Sequence, residues 1–182
     1  STMSSEMPET LVADRYRLGR VIGVGGMGVV YEAEQVPLRR TVALKMLPSD
    51  RVGSEEAVER LIREAQALSR IEHPGVVRVI DAGRSSRGQA FLAMEYLEGR
   101  TLKQLLAEHG PLPWRWVLAA IGQCLEALEV VHRAGFVHRD IKPSNCFCCN
   151  CSSGDGTPLG AQVPIVKLID FGIAKAVRSR RA

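Results

Sequence analysis

The chain has 182 residues, of which 46% are hydrophobic and 24% charged, a composition typical of a folded globular protein and not of a disordered one. Lys and Arg total 24 against 20 Asp and Glu, which gives a formal net charge of +4. This small excess excludes a strongly basic nucleic-acid binder, which needs a dense face of Lys and Arg, but it leaves room for a site that binds small anions through a few donors.

The hydrophobic pattern in the first half of the chain predicts five strands and one helix. Between the third and fourth strands, Ser54–Ile71 has apolar residues spaced by three or four positions, which is the period of an amphipathic helix. The pair His73-Pro74 ends that helix, because the residue before a proline avoids helical backbone angles. Short apolar and β-branched runs predict the strands at Tyr16–Ile22, Val29–Glu34, Thr41–Leu47, Val76–Asp81 and Ala90–Tyr96.

From Gly99 onward the pattern becomes helical. A short helix is predicted around Leu102–Leu106 and a long one at Pro113–His132, since proline favours the first position of a helix. The predicted class is therefore α+β, with a five-stranded, one-helix lobe, a linker near Glu98-Gly99 and the beginning of a helical lobe.

No targeting or membrane-spanning segment is predicted. Acidic side chains precede the first Arg, unlike in a secretory signal, and the longest apolar stretch, Trp116–Leu125, is about half the length that spans a bilayer. The five cysteines are odd in number, and four of them crowd into Cys146–Cys151, which is unlike a secreted disulfide framework. A reducing cytoplasm is therefore the expected compartment.

A glycine cluster follows the first predicted strand. The segment Gly23-Val24-Gly25-Gly26-Met27-Gly28 fits G-x-G-x-x-G, a pattern in which bare backbone N–H groups can approach phosphates. A dinucleotide-binding Rossmann turn needs a helix directly after the glycines, whereas the β-branched and aromatic Val29–Tyr31 favours a strand. Two interpretations remain open on this motif alone, a phosphate-binding loop and an ordinary glycine-rich hairpin turn.

One lysine is placed where a charge is costly. Lys45 lies inside an apolar strand, and a buried lysine needs an anionic partner. Glu64, on the following helix, is the candidate partner, and a Lys45–Glu64 ion pair would fix the lysine for holding phosphate oxygens. The alternative is that both residues are ordinary surface charges.

Two polar motifs follow the long helix. The segment His138–Asn145 places a carboxylate, a lysine and a carboxamide on one loop, because its proline interrupts helical structure. The triplet Asp170-Phe171-Gly172 follows the apolar run Ile165–Ile169, so a carboxylate stands at the end of a buried strand. Asn145 and Asp170 supply the oxygen atoms that Mg²⁺ prefers, and this ion takes only one or two protein ligands beside phosphate and water.

Taken together and in this order, the motifs resemble the signature set of the eukaryotic-type protein kinases, in the form found in bacterial serine/threonine kinases. The resemblance implies a two-lobed, protein-kinase-like fold, with a complete N-lobe (a five-stranded antiparallel sheet plus one helix) and only the first part of the helical C-lobe. It also implies a flexible leader at 1–15, the N-lobe at 16–97 and the partial C-lobe at 98–182. The motifs that carry it are Gly23–Val30, Val42–Lys45, Glu64, His138–Asn145 and Asp170–Gly172.

The activity that the resemblance implies is ATP-dependent phosphoryl transfer to serine or threonine hydroxyls of a protein substrate, with Mg²⁺. Asp140 would accept the proton of the substrate hydroxyl, and Lys142 would steady the γ-phosphate. Lys45 would bind the α- and β-phosphates while paired with Glu64.

The resemblance further implies a nucleotide site in the cleft. Asn145 and Asp170 would hold Mg²⁺, and the glycine loop would cover the phosphates. The hinge, Met94–Leu97, would bind adenine through the backbone of its second and fourth residues. The implied nucleotide-binding set is Ile22, Gly23, Val24, Gly25, Gly26, Met27, Gly28, Val30, Ala43, Lys45, Met94, Glu95, Leu97 and Phe147. A packing column between the lobes is implied at Leu68, Val79, His138 and Phe171.

The chain departs from the family pattern after Gly172, because it ends ten residues later. A truncated kinase domain is therefore expected, in which the helix Trp114–His132 exposes an apolar face that invites a partner. The alternative function is a catalytically impaired nucleotide-binding or regulatory fragment that acts through partner binding. The terminal arginines, Arg178–Arg181, are expected to form a solvated tail, with a phosphate-docking patch as the alternative.

A second departure lies between Asn145 and Asp170. The two residues are 25 positions apart, and the added stretch at 150–163 is rich in Ser, Gly and Pro, which predicts an exposed loop. Four thiols next to this stretch could ligate Zn²⁺. However, the resemblance places Cys146 and Cys148 in a strand, whose neighbouring side chains point to opposite faces, and buried small apolar side chains are the simpler interpretation.

Overall fold

The computed structural model describes residues 11–25, 28–48, 54–151 and 164–171. Several sequence predictions lie outside these ranges. They concern Gly26, Met27, Gly172, the start of the leader, the loop at 152–163 and the arginines Arg178, Arg180 and Arg181.

The first half of the chain forms a five-stranded antiparallel sheet, which confirms the predicted sheet. The strands occur in the spatial order β1-β2-β3-β5-β4. The bounds of the strands agree with the predicted runs to within a few residues, and the shift of β4 is described below. The strands are β1 (Tyr16–Gly25), β2 (Gly28–Gln35), β3 (Arg40–Met46), β4 (Val79–Arg84) and β5 (Ala90–Glu95).

The one helix of this half packs on the sheet through its apolar face. Helix α1 (Glu55–Leu68) begins after Ser54, whose side-chain oxygen accepts a hydrogen bond from the backbone N–H of Ala57 at 3.3 Å. Two glutamates in the first turn favour this end of the helix electrostatically. The buried side chains recur every three or four residues and are Ala57, Val58, Leu61, Ala65 and Leu68.

Strand β4 begins three residues later than the sequence predicted. The sequence pattern assigned Val76 and Val77 to β4, but the backbone of their segment pairs with the segment around Leu168. The backbone N–H of Val77 donates to the carbonyl of Leu168 at 3.0 Å, and the N–H of Leu168 donates to the carbonyl of Gly75 at 2.8 Å. An apolar run does not reveal which neighbouring chain will pair with its backbone, and here that neighbour lies far along the sequence.

The described residues also form a smaller sheet of three strands, here called the lower sheet, and the five-stranded sheet is called the upper sheet. The lower sheet contains β6 (Gly99–Thr101), β7 (Cys146–Cys149) and β8 (Val166–Leu168), in the antiparallel order β6-β7-β8. The sequence pattern missed β6, because three half-buried residues carry no periodic signal.

Two helices complete the described fold. Helix α2 (Leu102–His109) begins with a capping box, in which Thr101 and Gln104 bond each other's backbone N–H groups. Helix α3 (Trp114–Arg133) confirms the long predicted helix to within one residue at each end. One face of α3 packs with α1, β7 and β8 in a shared apolar core.

The opposite face of α3 is apolar and exposed. Its side chains Trp114, Leu118, Ile121 and Leu125 are between 48% and 67% exposed and recur every three or four residues. The prediction that this helix exposes an apolar face is confirmed. Among the described residues, no helix combines the length and apolar character needed to cross a membrane.

Candidate active site

The glycine motif forms the end of a β-hairpin. Strands β1 and β2 pair through Gly23 with Val30 and through Gly25 with Gly28. A strand therefore follows the glycines, as the residues after them predicted, and the Rossmann interpretation does not hold. Gly28 has a φ of 126°, and a Cβ atom there would lie 2.2 Å from the carbonyl oxygen of Met46. Glycine is required at this position because the hairpin passes close to the end of β3.

Replacing Gly28 with alanine is expected to lower the free energy of unfolding by about 1–3 kcal/mol, through backbone strain and the clash with Met46. The matched control is Gly25→Ala, because a Cβ atom on Gly25 meets no atom within 4 Å. That variant is expected to stay within about 0.5 kcal/mol of the parent chain. Urea unfolding of both variants measures the difference, and equal losses of stability would contradict the close approach.

The lysine of β3 has a carboxylate partner from the far end of the described chain. Lys45 is buried, with 8% of its surface exposed, and its Nζ lies 2.6 Å from Oδ1 of Asp170. Asp170 follows β8 and has a φ of 55°, which is uncommon for a residue other than glycine. This ion pair brings the upper sheet and the end of the lower sheet together at one point.

The structure does not show the predicted ion pair between Lys45 and Glu64. Within the ranges that the structure describes, the carboxylate that comes within 4.0 Å of Lys45 Nζ belongs to Asp170. Glu64 lies at a half-buried position on the flank of α1, outside the buried face of that helix. The apolar strand around Lys45 indicated that its charge needs an anionic partner. Glu64 and Asp170 both carry a carboxylate, and in the folded chain it is Asp170 that contacts Lys45.

The loop before β7 is held by its own polar groups. The side-chain amide of Asn145, which is 3% exposed, donates to the carbonyl oxygen of Asp140 at 2.8 Å and to its Oδ2 at 3.1 Å. Lys142 Nζ also lies 3.1 Å from Asp140 Oδ2. The predicted loop residues are therefore brought together, with the carboxylate of Asp140 at the centre.

The same loop is bonded to the strand that leads to Asp170. The backbone N–H of Ile169 donates to the carbonyl oxygen of Asn145 at 3.0 Å. Because Asn145 uses its amide nitrogen on Asp140, its Oδ1 is the atom left to bind a cation, and it makes no hydrogen bond within the described residues. Asn145 and Asp170 thus belong to two segments that are hydrogen-bonded to each other through Asn145 and Ile169, the residue before Asp170.

A buried histidine connects these two segments a second time. The backbone N–H of Asp140 donates to Nδ1 of His138 at 3.2 Å, so Nδ1 is an acceptor. Nε2 therefore carries the proton and donates a hydrogen bond to the carbonyl oxygen of Ile169 at 2.9 Å. The ring of His138 also lies 4.6 Å from that of Phe171, measured between centroids.

The packing column predicted between the lobes agrees with these contacts. Leu68 and Val79 are buried in the same apolar cluster, and Phe171 packs against that cluster. The backbone around His138 is unusual, since Arg139 has a φ of 64°. Left-handed backbone at a non-glycine residue concentrates at functional sites, where the surrounding contacts hold it.

An apolar cluster lies close to Asp170, because Ile169 and Phe171 pack against it. Its buried members are Ala43, Val77 and Met94, and Val30 and Leu97 pack against them. Four predicted adenine-site residues are therefore brought together. The other two are not part of this cluster, because Ile22 is 41% exposed on β1 and Phe147 lies on the half-buried face of β7. A cavity of about 360 Å³ adjoins the hinge and is lined by Thr41, Tyr96, Leu97, Glu98, Cys149 and Asn150.

Two side chains of the hinge make polar contacts that sequence reasoning missed. Oε1 of Glu95 lies 2.6 Å from Nζ of Lys167 on β8, and it also accepts a hydrogen bond from the backbone N–H of Arg78 at 2.8 Å. The next hinge residue, Tyr96, contacts both Arg20 on β1 and Glu32 on β2 through its hydroxyl group. In the sequence, Glu95 and Tyr96 look like ordinary polar surface residues, so no local signal reveals these contacts.

Removing the Lys167 charge is expected to destabilise the chain measurably. Both partners are partly buried, at 17% and 28% side-chain exposure, so we expect Lys167→Met to lower the free energy of unfolding by about 1–2 kcal/mol. The matched control is Arg133→Met, which removes an exposed pair with Glu129 and is expected to cost about 0.5 kcal/mol or less. Urea unfolding at equal ionic strength compares the two, and equal changes would show that Glu95 gains nothing from Lys167.

The cysteines near the site are free thiols. Burial raises the pKa of the Cys148 thiol to about 12, and burial also raises the pKa values of Cys149 and Cys151, so all three are protonated at neutral pH. Over the part of the chain that the structure describes, no three His, Cys, Asp or Glu side chains lie close enough to hold a metal ion. The zinc alternative therefore receives no support, and Cys146 and Cys148 are buried as predicted.

The donor set of the cleft fits a nucleotide with a hard cation. A buried ammonium group and a carboxylate form an ion pair, a carboxamide stands on the neighbouring loop, and an apolar cluster lies nearby. Groups of these kinds suit the phosphates, the cation and the base of ATP. Two oxygen ligands from protein are enough for Mg²⁺ when phosphate oxygens and water complete its shell.

Comparison with known proteins gives an independent view of the whole chain. Residues 16–182 match the family model described as protein kinase domain. The chain is 40% identical over 168 residues to the serine/threonine-protein kinase pkn3 of Myxococcus xanthus, covering 92% of this chain and 29% of that protein. It is 41% identical over 179 residues to the serine/threonine-protein kinase PknA of Mycobacterium tuberculosis, covering 96% of this chain and 38% of that protein.

The solved structures give the same result. The PknI kinase domain of Mycobacterium tuberculosis matches with a TM-score of 0.74 and 31% identity, over 92% of this chain and 63% of that domain. The chain thus spans less than two fifths of the two curated relatives and less than two thirds of this solved domain.

Proposed function

Because the chain belongs to the protein kinase family, we propose that it binds ATP with Mg²⁺ and transfers the γ-phosphoryl group to serine and threonine hydroxyls of proteins. The observation that carries this proposal is the buried Lys45 ammonium, 2.6 Å from Asp170, whose strand is hydrogen-bonded to the loop of Asp140 and Asn145. Groups that are far apart in the sequence are thereby linked to one another, and they are of the kinds that phosphoryl transfer uses: a lysine for phosphate, oxygen ligands for a cation and a carboxylate base.

The nucleotide base has an apolar site in this proposal. Val30 and Ala43 would contact one face of adenine, and Met94 would limit the depth of the pocket. The backbone of Glu95 and Leu97 would supply the hydrogen bonds to its edge. The side chain of Glu95 is already fixed by Lys167 and by a backbone N–H, so the hinge backbone is held in one position before the nucleotide arrives.

Transfer of the phosphoryl group depends on placement and on charge neutralisation. Asp140 would accept the proton of the substrate hydroxyl, and its carboxylate is held for this role by Asn145 and Lys142. Lys45 would bind the α- and β-phosphates, and Lys142 would approach the γ-phosphate. Asn145 Oδ1 and Asp170 would hold Mg²⁺, which when bound neutralises the negative charge of the phosphates. The role of Glu64 as the partner of Lys45 stays a prediction that this structure does not favour.

The experiment combines a binding and a transfer measurement. The chain is incubated with labelled ATP, Mg²⁺ and a generic basic protein, and the labelled amino acids are separated after hydrolysis. We expect label on serine and threonine, together with a rise in the thermal midpoint of the chain in ATP and Mg²⁺. Absence of any midpoint change would overturn the nucleotide site. A midpoint rise with no transfer would favour the second candidate function below.

The second candidate is a nucleotide-binding or regulatory fragment that acts through a partner. The exposed apolar face of α3, the residues Trp114, Leu118, Ile121 and Leu125, favours it. A depression of about 540 Å³ continues this face and is lined by Leu125, Leu128, Glu129, His132 and Arg133. We propose that a protein with a matching apolar surface covers this face.

This face is expected to cause self-association when nothing covers it, because exposed apolar patches of this kind are buried between molecules. Light scattering should give an apparent mass above that of the monomer at concentrations of tens of micromolar, and Leu118→Glu should return it to the monomer mass. Lys103→Gln, at an exposed position of α2, also lowers the net charge by one and serves as the control. A monomeric parent chain would contradict the prediction.

Two coarser expectations belong to the same proposal. The lobe boundary between 97 and 98 is supported by the end of β5 at Glu95 and the start of the lower sheet at Gly99. A reducing, cytoplasmic location is supported by the five cysteines, all of which are free thiols.

A further inference from the structure

The proposed function gives no role to two thiols that contact each other. Cys124 on α3 and Cys146, the first residue of β7, are both buried, at 8% and 5% exposure, and Cys124 Sγ donates a hydrogen bond to Cys146 Sγ at 3.9 Å. The two residues are 22 positions apart in the sequence, so their contact is a product of the fold and not of local chain geometry.

The distance between the sulfur atoms is that of touching thiols. A disulfide has a sulfur–sulfur bond of about 2.0 Å, so its formation requires the two atoms to approach by roughly 1.9 Å. Side-chain rotation supplies part of this movement, and the remainder must come from the backbone of α3 or β7. Within the described ranges, no third His, Cys, Asp or Glu side chain lies close enough to the two thiols to form a metal site with them.

We propose that Cys124 and Cys146 form a redox-sensitive pair, which a peroxide closes into a disulfide and a small thiol opens again. One thiol reduces hydrogen peroxide and becomes a sulfenic acid, and one water molecule leaves. The second thiol then attacks the sulfenic sulfur, which forms the S–S bond and releases a second water molecule. Two molecules of a thiol reductant reverse the reaction and end as their own disulfide.

The position of Cys146 connects this pair with the candidate site. Cys146 directly follows Asn145, whose side-chain amide holds Asp140 and whose carbonyl oxygen accepts the N–H of Ile169. A shift of the start of β7 toward α3 would move Asn145 relative to both of these partners. On the basis of the proposed function, the disulfide form is expected to bind ATP with Mg²⁺ more weakly than the thiol form.

The first test detects the bond itself and is independent of nucleotide. The intact chain is treated with hydrogen peroxide, the remaining thiols are alkylated, and the protein is examined by mass spectrometry before and after digestion. We expect the oxidised chain to carry three alkyl groups where the reduced chain carries five, because two of its five cysteines are in the disulfide, and the peptides of Cys124 and Cys146 to be linked. Cys124→Ala should abolish this product, while Cys151→Ala, which alters a more exposed thiol, should leave it unchanged. A linked pair that involves Cys148 and Cys151 instead, or absence of any intramolecular disulfide, would overturn the proposal.

The second test measures the consequence. The rise in thermal midpoint caused by ATP with Mg²⁺ should be roughly halved or smaller in the oxidised chain, and thiol reductant should restore it. Cys124→Ala should show the same rise before and after peroxide. An undiminished rise in the linked chain would overturn the connection with Asn145. A reduced chain with no rise at all would refute the nucleotide site, while the linked peptides would still decide the thiol pair.

Discussion

Replacing Lys45 with methionine is expected to abolish the rise in thermal midpoint that ATP with Mg²⁺ produces in the intact chain. The ammonium is the buried positive charge of the cleft, and the phosphates would lose their direct cationic contact with it. At about 100 times its dissociation constant, a ligand stabilises its protein by about 2.7 kcal/mol, which is the effect that the variant should lose.

The same change is expected to leave the nucleotide-free chain nearly as stable as before. Methionine has a similar length and suits the apolar surroundings of Lys45, and the Asp170 carboxylate is 36% exposed and can be hydrated when its partner is removed. Replacing a buried charge by an apolar side chain of similar volume is often neutral, so we expect a change of about 1 kcal/mol or less in urea unfolding.

Asp170→Asn is the informative counterpart, because it removes the other half of the ion pair. It leaves the Lys45 ammonium buried without a full negative charge, so it should cost about 2 kcal/mol, below the ~3–5 kcal/mol of a fully buried pair. The order of stabilities is therefore expected to be parent, then Lys45→Met, then Asp170→Asn. A full nucleotide-induced midpoint rise in Lys45→Met would contradict the proposed phosphate contact.

Asp140→Asn is expected to separate binding from transfer. Phosphoryl transfer should fall by about 10²–10⁴-fold, the usual contribution of a general base, while the midpoint rise with ATP and Mg²⁺ is retained. The reason is that Asp140 would act on the substrate hydroxyl, whereas the nucleotide contacts belong to other residues.

The structure indicates that this variant keeps its fold. The backbone N–H of Asp140 bonds His138, and its carbonyl oxygen accepts the Asn145 amide, and neither contact involves the side chain that is changed. An asparagine Oδ1 can also replace the carboxylate oxygen that Asn145 contacts. Transfer to the generic protein is measured alongside unfolding by urea, and an unaltered rate in a correctly folded variant would exclude Asp140 as the base.

Much of the fold follows from local patterns. Helices α1 and α3 bury one face, and α1 was predicted from apolar residues that recur with the helical period. The five strands of the upper sheet were predicted from short apolar and β-branched runs, such as the continuous run of β3. The strand after the glycines was predicted from β-branched and aromatic residues, and this excluded the Rossmann interpretation. Short β6 was missed, since three half-buried residues lack any period.

The candidate site was predicted less completely, and the errors share one cause. The spacing of Asp140 and Asn145 along one loop placed them correctly, because the contact is local. The partner of Lys45 was assigned to Glu64, but the fold supplies Asp170 from 125 positions away. The contact of Glu95 with Lys167 spans 72 positions and was not predicted. Pairings of this kind depend on tertiary structure, which residue types and spacing do not encode locally.

The two left-handed residues of the site, Arg139 and Asp170, have a consequence for attempts to stabilise this chain. Glycine adopts such backbone angles without steric cost, so a screen for heat resistance would favour it at Arg139. The replacement would also widen the range of conformations open to the adjoining aspartate. On the proposed function, variants selected only for survival at high temperature are therefore expected to transfer phosphate more slowly, and any selection should score transfer together with melting.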